Sequence, residues 1–306
     1  MAKSAVLFPG QGVQHVGMGK DIYESSAEAR EIMDRADRTL GLDLRTLMFE
    51  GPLEALTETL NAQPAILTVN HAFFLAAQHR SLSFDGTAGH SLGEYNALVA
   101  AGALSFTAAL RAVRERGRLM QEVGARSAGT MAAVLGLEEE KLREVCCRAS
   151  SAGRTVAIAN FNCPGQLVIS GEVSALEAAC VLAREAGAKR AIRLRVGGAF
   201  HSSLLQEASE RFARFLADLE IHRPSCDFYS NVTGAAVSDP EEIRELLARQ
   251  LSEPVLWEKI IRDMLRQGYD SFTEVGPGRV LTGLLAQIDR NVAASNINSR
   301  ASLDTL

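Results

Sequence analysis

A serine between two glycines is the first feature of this sequence that could do covalent chemistry. Ser91 is the centre of the segment Gly89–Gly93, which has the pattern G-x-S-x-G. Glycines on either side let the backbone pass close by, so the serine can stand on a sharp turn from a strand into a helix. The Leu92 N–H could then stabilise an oxyanion formed when Ser91 attacks a carbonyl. A tight turn with a buried serine fits the same pattern, and the pentapeptide alone leaves both interpretations open.

A glycine-rich segment follows the first apolar stretch of the chain. Ala5–Phe8 has the character of a short strand and leads into Pro9–Gly19, which contains four glycines. The segment lacks the Lys-Ser/Thr of a phosphate loop, and it contains no G-x-G-x-x-G pattern. A loop that leaves the first strand of a parallel sheet can instead offer main-chain N–H groups to a site at the strand ends. The position favours a second oxyanion donor.

One arginine falls on the apolar face of a predicted helix. In the helix expected over Ser105–Glu122, residues Arg111, Arg114 and Arg118 lie within about 60° of one another, whereas Arg116 lies about 140° from Arg111. A buried guanidinium without a partner costs several kcal/mol, so Arg116 needs an anion. That anion could be an internal Asp or Glu, or it could belong to a ligand.

His201 is the histidine whose position best suits a general base. It lies in the glycine-containing segment Gly197–Ser203, at the start of a helix expected over Leu204–Leu219. His90 adjoins Ser91, but its side chain is expected to point elsewhere. A helix-capping or surface histidine is the competing interpretation of His201.

The middle of the chain has the order β-α-β-β-α-β between Met131 and Val196, which is typical of a ferredoxin-like unit. We expect this subdomain to cover residues 126–197 and to be inserted in a larger unit made of residues 1–125 and 198–306. In the larger unit, a buried helix is expected over Pro64–Gln78, with proline in its first turn.

Composition limits the classes of function. The chain has 306 residues, a net charge of −5 and 47% hydrophobic residues. No apolar run approaches the ~18 residues of a membrane span, and nothing indicates a signal peptide, so a cytoplasmic protein is expected. Five cysteines without a C-x-x-C pair argue against a disulfide framework and a zinc site. The acidic balance gives no indication of nucleic-acid binding.

Five motifs taken together resemble the malonyl-CoA:acyl carrier protein transacylase family. They are Gly10–Gly12, Gly89–Tyr95, Arg116–Gln121, Asn160–Gln166 and Ala199–His201. Their order and spacing match the family from Phe8 to about Gly278, and five coincident motifs are far more specific than any one of them.

The resemblance implies an α/β fold, in which an α/β-hydrolase-like large domain with a mostly parallel sheet carries the inserted ferredoxin-like subdomain. The residue roles that it implies are nucleophile for Ser91, base for His201, oxyanion hole for the N–H groups of Gln11 and Leu92, orientation of the histidine by the carbonyl of Gln250, and substrate binding by Arg116, Met120, Asn160, Asn162 and Phe200. Arg116 would bind the malonyl carboxylate, and the ring of Phe200 would leave little room for a substituent at C2 of the acyl group.

The expected reaction has two steps through a malonyl-serine intermediate. No cofactor is expected to be bound permanently, because the CoA thioester is the substrate and the phosphopantetheine arm of the carrier protein is the acceptor. The resemblance favours a monomer. An acidic carrier protein could dock on the basic residues Lys189, Arg190, Arg193 and Arg195 together with Arg111, Arg114 or Arg118, although an ordinary solvated surface fits them as well.

Three other functions stay open at this point. The same serine and histidine would serve a thioesterase with water as acceptor, or an acyltransferase for a different extender unit. A non-catalytic docking subunit that keeps the fold is the third, and the presence of Ser91, His201 and Arg116 argues against it.

Overall fold

The computed structural model describes residues 3–126, 128–151 and 154–305 as two sheets with helices around them. The limits expected for the large unit at residues 1 and 306 therefore lie outside the described part of the chain. The strands are Lys3–Phe8 (β1), Gly86–Gly89 (β2), Gly129–Leu135 (β3), Val156–Cys163 (β4), Gln166–Glu172 (β5), Arg190–Arg193 (β6), Asp227–Tyr229 (β7), Tyr269–Val275 (β8) and Ala293–Ile297 (β9).

Helices make up most of the rest. They are Lys20–Ser25 (α1), Ala27–Leu40 (α2), Leu44–Glu50 (α3), Leu53–Thr57 (α4), Thr59–Gln78 (α5), Gly93–Ala100 (α6), Phe106–Arg126 (α7), Glu139–Ala149 (α8), Val173–Glu185 (α9), Gln206–Leu216 (α10), Pro240–Arg249 (α11), Trp257–Arg266 (α12), Val280–Ile288 (α13) and Arg300–Leu303 (α14), with a 3₁₀ turn at Ser203–Leu205 before α10. None of the helices within the described ranges is both long and apolar enough to cross a membrane.

The larger sheet has the order β7-β2-β1-β8-β9, and all of its pairings are parallel. In the central pair, Phe8 of β1 lies opposite Gly89 of β2. The segments that follow these two strands therefore leave the same edge of the sheet side by side. One segment is the glycine-rich loop and the other contains Ser91, so the register brings the two predicted oxyanion donors together.

The smaller sheet is antiparallel and has the order β4-β5-β3-β6, with α8 and α9 in its connections. This order of a β-α-β-β-α-β unit is that of a ferredoxin-like fold. The sheet joins the larger unit through its edge strand β4, where Val255 N donates to Ala159 O and Phe161 N donates to Val255 O, both at 2.9 Å. The predicted fold class, a parallel α/β unit with an antiparallel subdomain, is confirmed.

The predicted start of the buried helix at Pro64 was wrong, because α5 begins five residues earlier, at Thr59. Proline inside a helix leaves the carbonyl four residues before it without an N–H donor. Here that carbonyl belongs to Leu60, and the guanidinium of Arg114 donates to it at 2.8 Å. A side chain from α7 thus supplies the missing hydrogen bond, which a search for local helix signals does not detect.

Candidate active site

The turn that carries Ser91 depends on close backbone contacts and on a left-handed residue. Ser91 has φ +51°, between β2 and α6. A Cβ on Gly89 would lie 1.9 Å from the carbonyl carbon of Gly93, and a Cβ on Gly93 would lie 2.1 Å from Phe8 O. Only glycine fits at both positions, because real Cβ atoms do not approach so closely. The sequence pattern therefore corresponds to a strained turn with its hydroxyl at the start of a helix.

The structure brings Ser91 and His201 together although 110 positions separate them. Ser91 Oγ lies 2.8 Å from His201 Nε2, and His201 Nδ1 lies 2.7 Å from the carbonyl oxygen of Gln250. A carbonyl oxygen only accepts, so Nδ1 carries the proton and Nε2 is free to accept the serine proton. The pair has the geometry of a nucleophile and its base, with a main-chain carbonyl as the orienting group.

The imidazole is held in its neutral form. His201 is 5% exposed, and its burial together with the positive charge of Arg116 lowers its pKa to about 3. A histidine with this pKa stays unprotonated far below neutral pH. A neutral imidazole at this position can accept a proton throughout the physiological range.

The rate at which a neutral sulfonyl fluoride modifies Ser91 is expected to stay level from about pH 8 to about pH 5. The lowered pKa of His201 means that the loss of its basic form begins only as the pH falls towards about 3. In Arg116→Ala the acid limb is expected to move to higher pH, because the cation that lowers the pKa is gone. A fall centred on the ordinary histidine pKa of 6.5 in the unmodified protein would contradict this prediction.

Two main-chain N–H groups in the neighbouring loops have no acceptor within the described residues. Gln11 and Leu92 both line the cleft around Ser91. Neither N–H donates to another group within the described residues, whereas Ser91 N–H donates to Asn231 Oδ1 at 2.6 Å. Unused donors beside a nucleophile can hold the negative charge that develops on an attacked carbonyl.

Arg116 reaches the same serine from α7. Its side chain is 1% exposed, and Nη2 donates to Ser91 Oγ at 3.1 Å and to Gln250 Oε1 at 2.8 Å. Nη1 donates to Gln63 Oε1 at 2.9 Å. The sequence allowed two partners for Arg116, an internal carboxylate or a ligand. Within the described residues no carboxylate contacts the guanidinium, so the first of these is not formed. A carboxylate bound to Arg116 would lie beside the Ser91 hydroxyl.

The remaining predicted residues lie around one cleft of about 380 Å³. His90 also lines the cleft, but its Nε2 lies 2.9 Å from Asn162 Oδ1 and makes no hydrogen bond to Ser91 Oγ within the described residues, as expected for a side chain that points away from the serine hydroxyl. The substrate-binding candidates that line the cleft are Arg116, Met120, Asn160, Asn162 and Phe200. The volume is that of a small-molecule site. The described residues contain no group of three His, Cys, Asp or Glu side chains able to hold a metal ion.

Comparison with known proteins places the chain in a family. A family model described as "Acyl transferase domain" matches residues 6–306. The malonyl CoA-acyl carrier protein transacylase of Bacillus subtilis (strain 168) is 44% identical over 304 residues, which cover 99% of this chain and 96% of that protein. The chain belongs to the malonyl-CoA:acyl carrier protein transacylase family. The resemblance seen in the motifs is confirmed over nearly the whole length.

Solved structures of the family agree in fold. The acyl carrier protein S-malonyltransferase of Vibrio cholerae O1 biovar eltor is 42% identical, with 99% of each chain covered and a TM-score of 0.96. A malonyl-transacylase solved in complex with its type II PKS acyl-carrier protein is 38% identical, with 99% of this chain and 98% of that chain covered and a TM-score of 0.96.

Three further buried side chains, which the sequence did not single out, form hydrogen bonds around Ser91, Gln250 and Arg116. Asn231 accepts from Ser91 N–H and donates to Gly89 O at 2.7 Å, so it bridges the two ends of the strained turn. Glu94 accepts from Asn231 N at 3.1 Å and from Gln250 Nε2. Burial raises the pKa of Glu94 to about 7 against the opposing effect of these hydrogen bonds.

The third of these side chains is Gln63, which contacts Arg116. Glu94 belongs to the motif Gly89–Tyr95. A charged residue on the buried helix that follows the serine turn is a sequence signal from which its role could have been predicted. Asn231 lies in a short loop after β7, and no local pattern marks it. Gln63 directly precedes Pro64, where the sequence predicts the start of a helix, whereas α5 begins at Thr59.

Proposed function

We propose that this chain transfers a malonyl group from malonyl-CoA to the phosphopantetheine thiol of an acyl carrier protein, through a malonyl ester on Ser91. The observation that carries the proposal is the contact of one oxygen with two groups: Ser91 Oγ lies 2.8 Å from His201 Nε2 and 3.1 Å from Arg116 Nη2. A base activates the hydroxyl, and a buried cation beside it selects an acyl group that carries its own carboxylate.

In the first half-reaction, Arg116 binds the malonyl carboxylate and the thioester carbonyl lies over Ser91. The Ser91 hydroxyl gives its proton to His201 Nε2 while Oγ attacks the carbonyl carbon. The N–H groups of Gln11 and Leu92 stabilise the resulting oxyanion. When the carbonyl re-forms, the C–S bond breaks, and the CoA sulfur leaves with the proton from His201.

The second half-reaction runs in the opposite direction with a different thiol. His201 accepts the proton of the phosphopantetheine thiol, whose sulfur attacks the carbonyl of the malonyl ester. The oxyanion is stabilised by the same two N–H groups, and Ser91 Oγ leaves and regains its proton from His201. In the proposal Gln250 orients the histidine, and Met120, Asn160, Asn162 and Phe200 shape the acyl and pantetheine site.

We also propose the domain boundaries, the oligomeric state and the cellular location of the protein. Residues 1–125 and 198–306 would form the catalytic domain and residues 126–197 the subdomain, acting as a monomer without a permanently bound cofactor. A cytoplasmic location is supported by five free cysteines, of which Cys146, Cys163 and Cys180 are buried.

Radiolabelled malonyl-CoA distinguishes transfer from hydrolysis. We expect stoichiometric label on the protein without an acceptor, and rapid movement of that label to a phosphopantetheinylated carrier protein when one is added. Rapid release of free malonate without the carrier protein would identify a thioesterase and overturn the proposal. An absence of any covalent label would identify a non-catalytic subunit.

The carrier protein is proposed to approach over the exposed cations of the smaller unit. Lys189, Arg190 and Arg195 have no acidic partner within the described ranges, and Arg195 lines the cleft. Other candidates are already engaged: Arg118 pairs with Glu115 and Glu122, Arg193 with Glu177, and Arg114 with Leu60 O, which leaves Arg111 as an exposed cation on α7. Unpaired cations near a cleft can steer an acidic partner.

Replacing Lys189 and Arg190 together by glutamate is expected to lower kcat/KM for the carrier protein by about tenfold at low salt, since charge at the rim of an interface acts mainly on the association rate. The half-reaction with malonyl-CoA should not change. Arg35 and Arg38, two exposed arginines of α2 outside the cleft, provide the control with the same charge change. Equal effects of the two double variants on the carrier-protein step would exclude specific docking at Lys189 and Arg190.

A further inference from the structure

Apart from the hydroxyl of Ser91, the side chains that accept hydrogen bonds from the guanidinium of Arg116 within the described residues are two uncharged amides. Gln63 Oε1 accepts from Nη1 and Gln250 Oε1 accepts from Nη2. The nearest buried carboxylate in this network, Glu94, contacts the other end of the Gln250 amide. A buried arginine is ordinarily paired directly with a carboxylate, because an unpaired charge is costly to bury. Here the amide of Gln250 lies between the carboxylate of Glu94 and the guanidinium.

The orientation of the Gln63 amide is fixed by its second contact. Gln63 is 0% exposed, and its Nε2 donates to the sulfur of Met120 at 3.3 Å. A thioether sulfur has no hydrogen to donate, so the amide nitrogen belongs on the side of Met120 and the oxygen on the side of Arg116. The side chain therefore presents an acceptor without charge to the guanidinium.

The backbone of Gln63 is held against α7 by contacts one turn earlier in α5. A Cβ on Gly117 would lie 2.7 Å from Thr59 O, so the two helices approach more closely there than any other residue would allow. Leu60 N donates to Gln121 Oε1 at 3.1 Å. Both contacts lie on the C-terminal side of Arg116 along α7, and they hold the two helices together one turn before Gln63.

We propose that Gln63 is a specificity-determining residue, whose neutral amide positions Arg116 without neutralising it and so leaves the positive charge available to the substrate carboxylate. The inference rests on the proposed function. A carboxylate at this position would satisfy the guanidinium through a charge-assisted hydrogen bond and would repel the carboxylate of the substrate. The identity of an amide, rather than its size, then decides between a diacid and a simple acyl thioester.

The test is the ratio of the rates at which malonyl-CoA and acetyl-CoA load the full-length protein, followed by intact mass at short times. In Gln63→Glu this ratio is expected to fall by roughly 30-fold or more. It should recover as the pH is lowered and the introduced carboxyl becomes protonated. A purely structural role for Gln63 would not produce a pH-dependent preference between two substrates.

Gln63→Met is the matched control, because it removes the acceptor, keeps the length of the side chain and adds no charge. Its ratio is expected to fall less than tenfold, and a larger fall would overturn the proposal even if Gln63→Glu does not fold. An unchanged ratio in Gln63→Glu, or equal falls in the two variants, would also overturn it. Failure of the unmodified protein to load malonyl would instead reject the proposed function itself.

Discussion

Ser91→Ala is expected to lower malonyl transfer by roughly 10,000-fold or more, because removal of a nucleophile that acts with its base has effects of this order. Among the described residues that line the cleft, Ser91 carries the only hydroxyl group, and none carries a thiol. No neighbouring side chain could therefore form the acyl ester in its place. Intact mass after incubation with malonyl-CoA is the measurement, and the variant should gain no mass.

The control is Ser203→Ala, which removes an exposed hydroxyl two residues after His201 and outside the cleft. This variant should acquire one malonyl group at the rate of the unmodified protein. A malonyl adduct on Ser91→Ala at another residue, together with retained transfer, would show that the nucleophile has been assigned wrongly. Retained transfer without an adduct would show that the reaction is direct.

The sequence predicted the chemistry of this site better than its geometry. The glycines around Ser91 allowed a strained turn, and the helical periodicity placed Arg116 on a buried face, because both signals are local. The distance between Ser91 and His201 is a property of the fold alone, since β2 and the loop before α10 are far apart in sequence. From the sequence, only the resemblance to a family predicted that Ser91 and His201 act together.

The supporting residues were harder to predict for a physical reason. Asn231 acts through both ends of one amide, on atoms of the backbone more than 130 positions away, and nothing in its neighbours marks that use. The position of Gln63 on a helix was not predicted, because the preference of proline for the first turn of a helix places the residue before Pro64 outside the helix. The donor that makes Pro64 tolerable inside α5 comes from Arg114 on α7, so the correct start of the helix depends on tertiary structure.

The parallel strand before the serine illustrates the opposite case. The segment Phe84–Ala88 has little strand propensity, and only the need of the serine turn for a preceding strand predicts one there. The structure forms β2 between β1 and β7, where pairing on both sides replaces intrinsic preference. The need for a strand before the serine turn therefore predicted β2 better than the strand propensity of its residues did.

Arg116→Ala is expected to lower kcat/KM for malonyl loading by roughly 100-fold or more, while acetyl loading is retained or rises, since only the malonyl group loses a charged partner. The variant leaves the amide oxygens of Gln63 and Gln250 without their donor, which costs about 1–3 kcal/mol of stability for each buried group left unpaired. Rates should therefore be compared below the Tm of the variant. Arg118→Ala, an exposed arginine on the same helix, is the control.

The ratio of the two substrates decides the role of Arg116 where the malonyl rate alone does not. Loss of the guanidinium also removes a hydrogen bond to Ser91 Oγ and a positive charge near His201, whose pKa would rise. Both changes act on the nucleophile and its base, so they affect malonyl and acetyl loading equally. A loss confined to malonyl-CoA would assign Arg116 to the substrate carboxylate. Equal loss of both would make Arg116 a positioning residue of the Ser91–His201 pair and would refute the carboxylate contact.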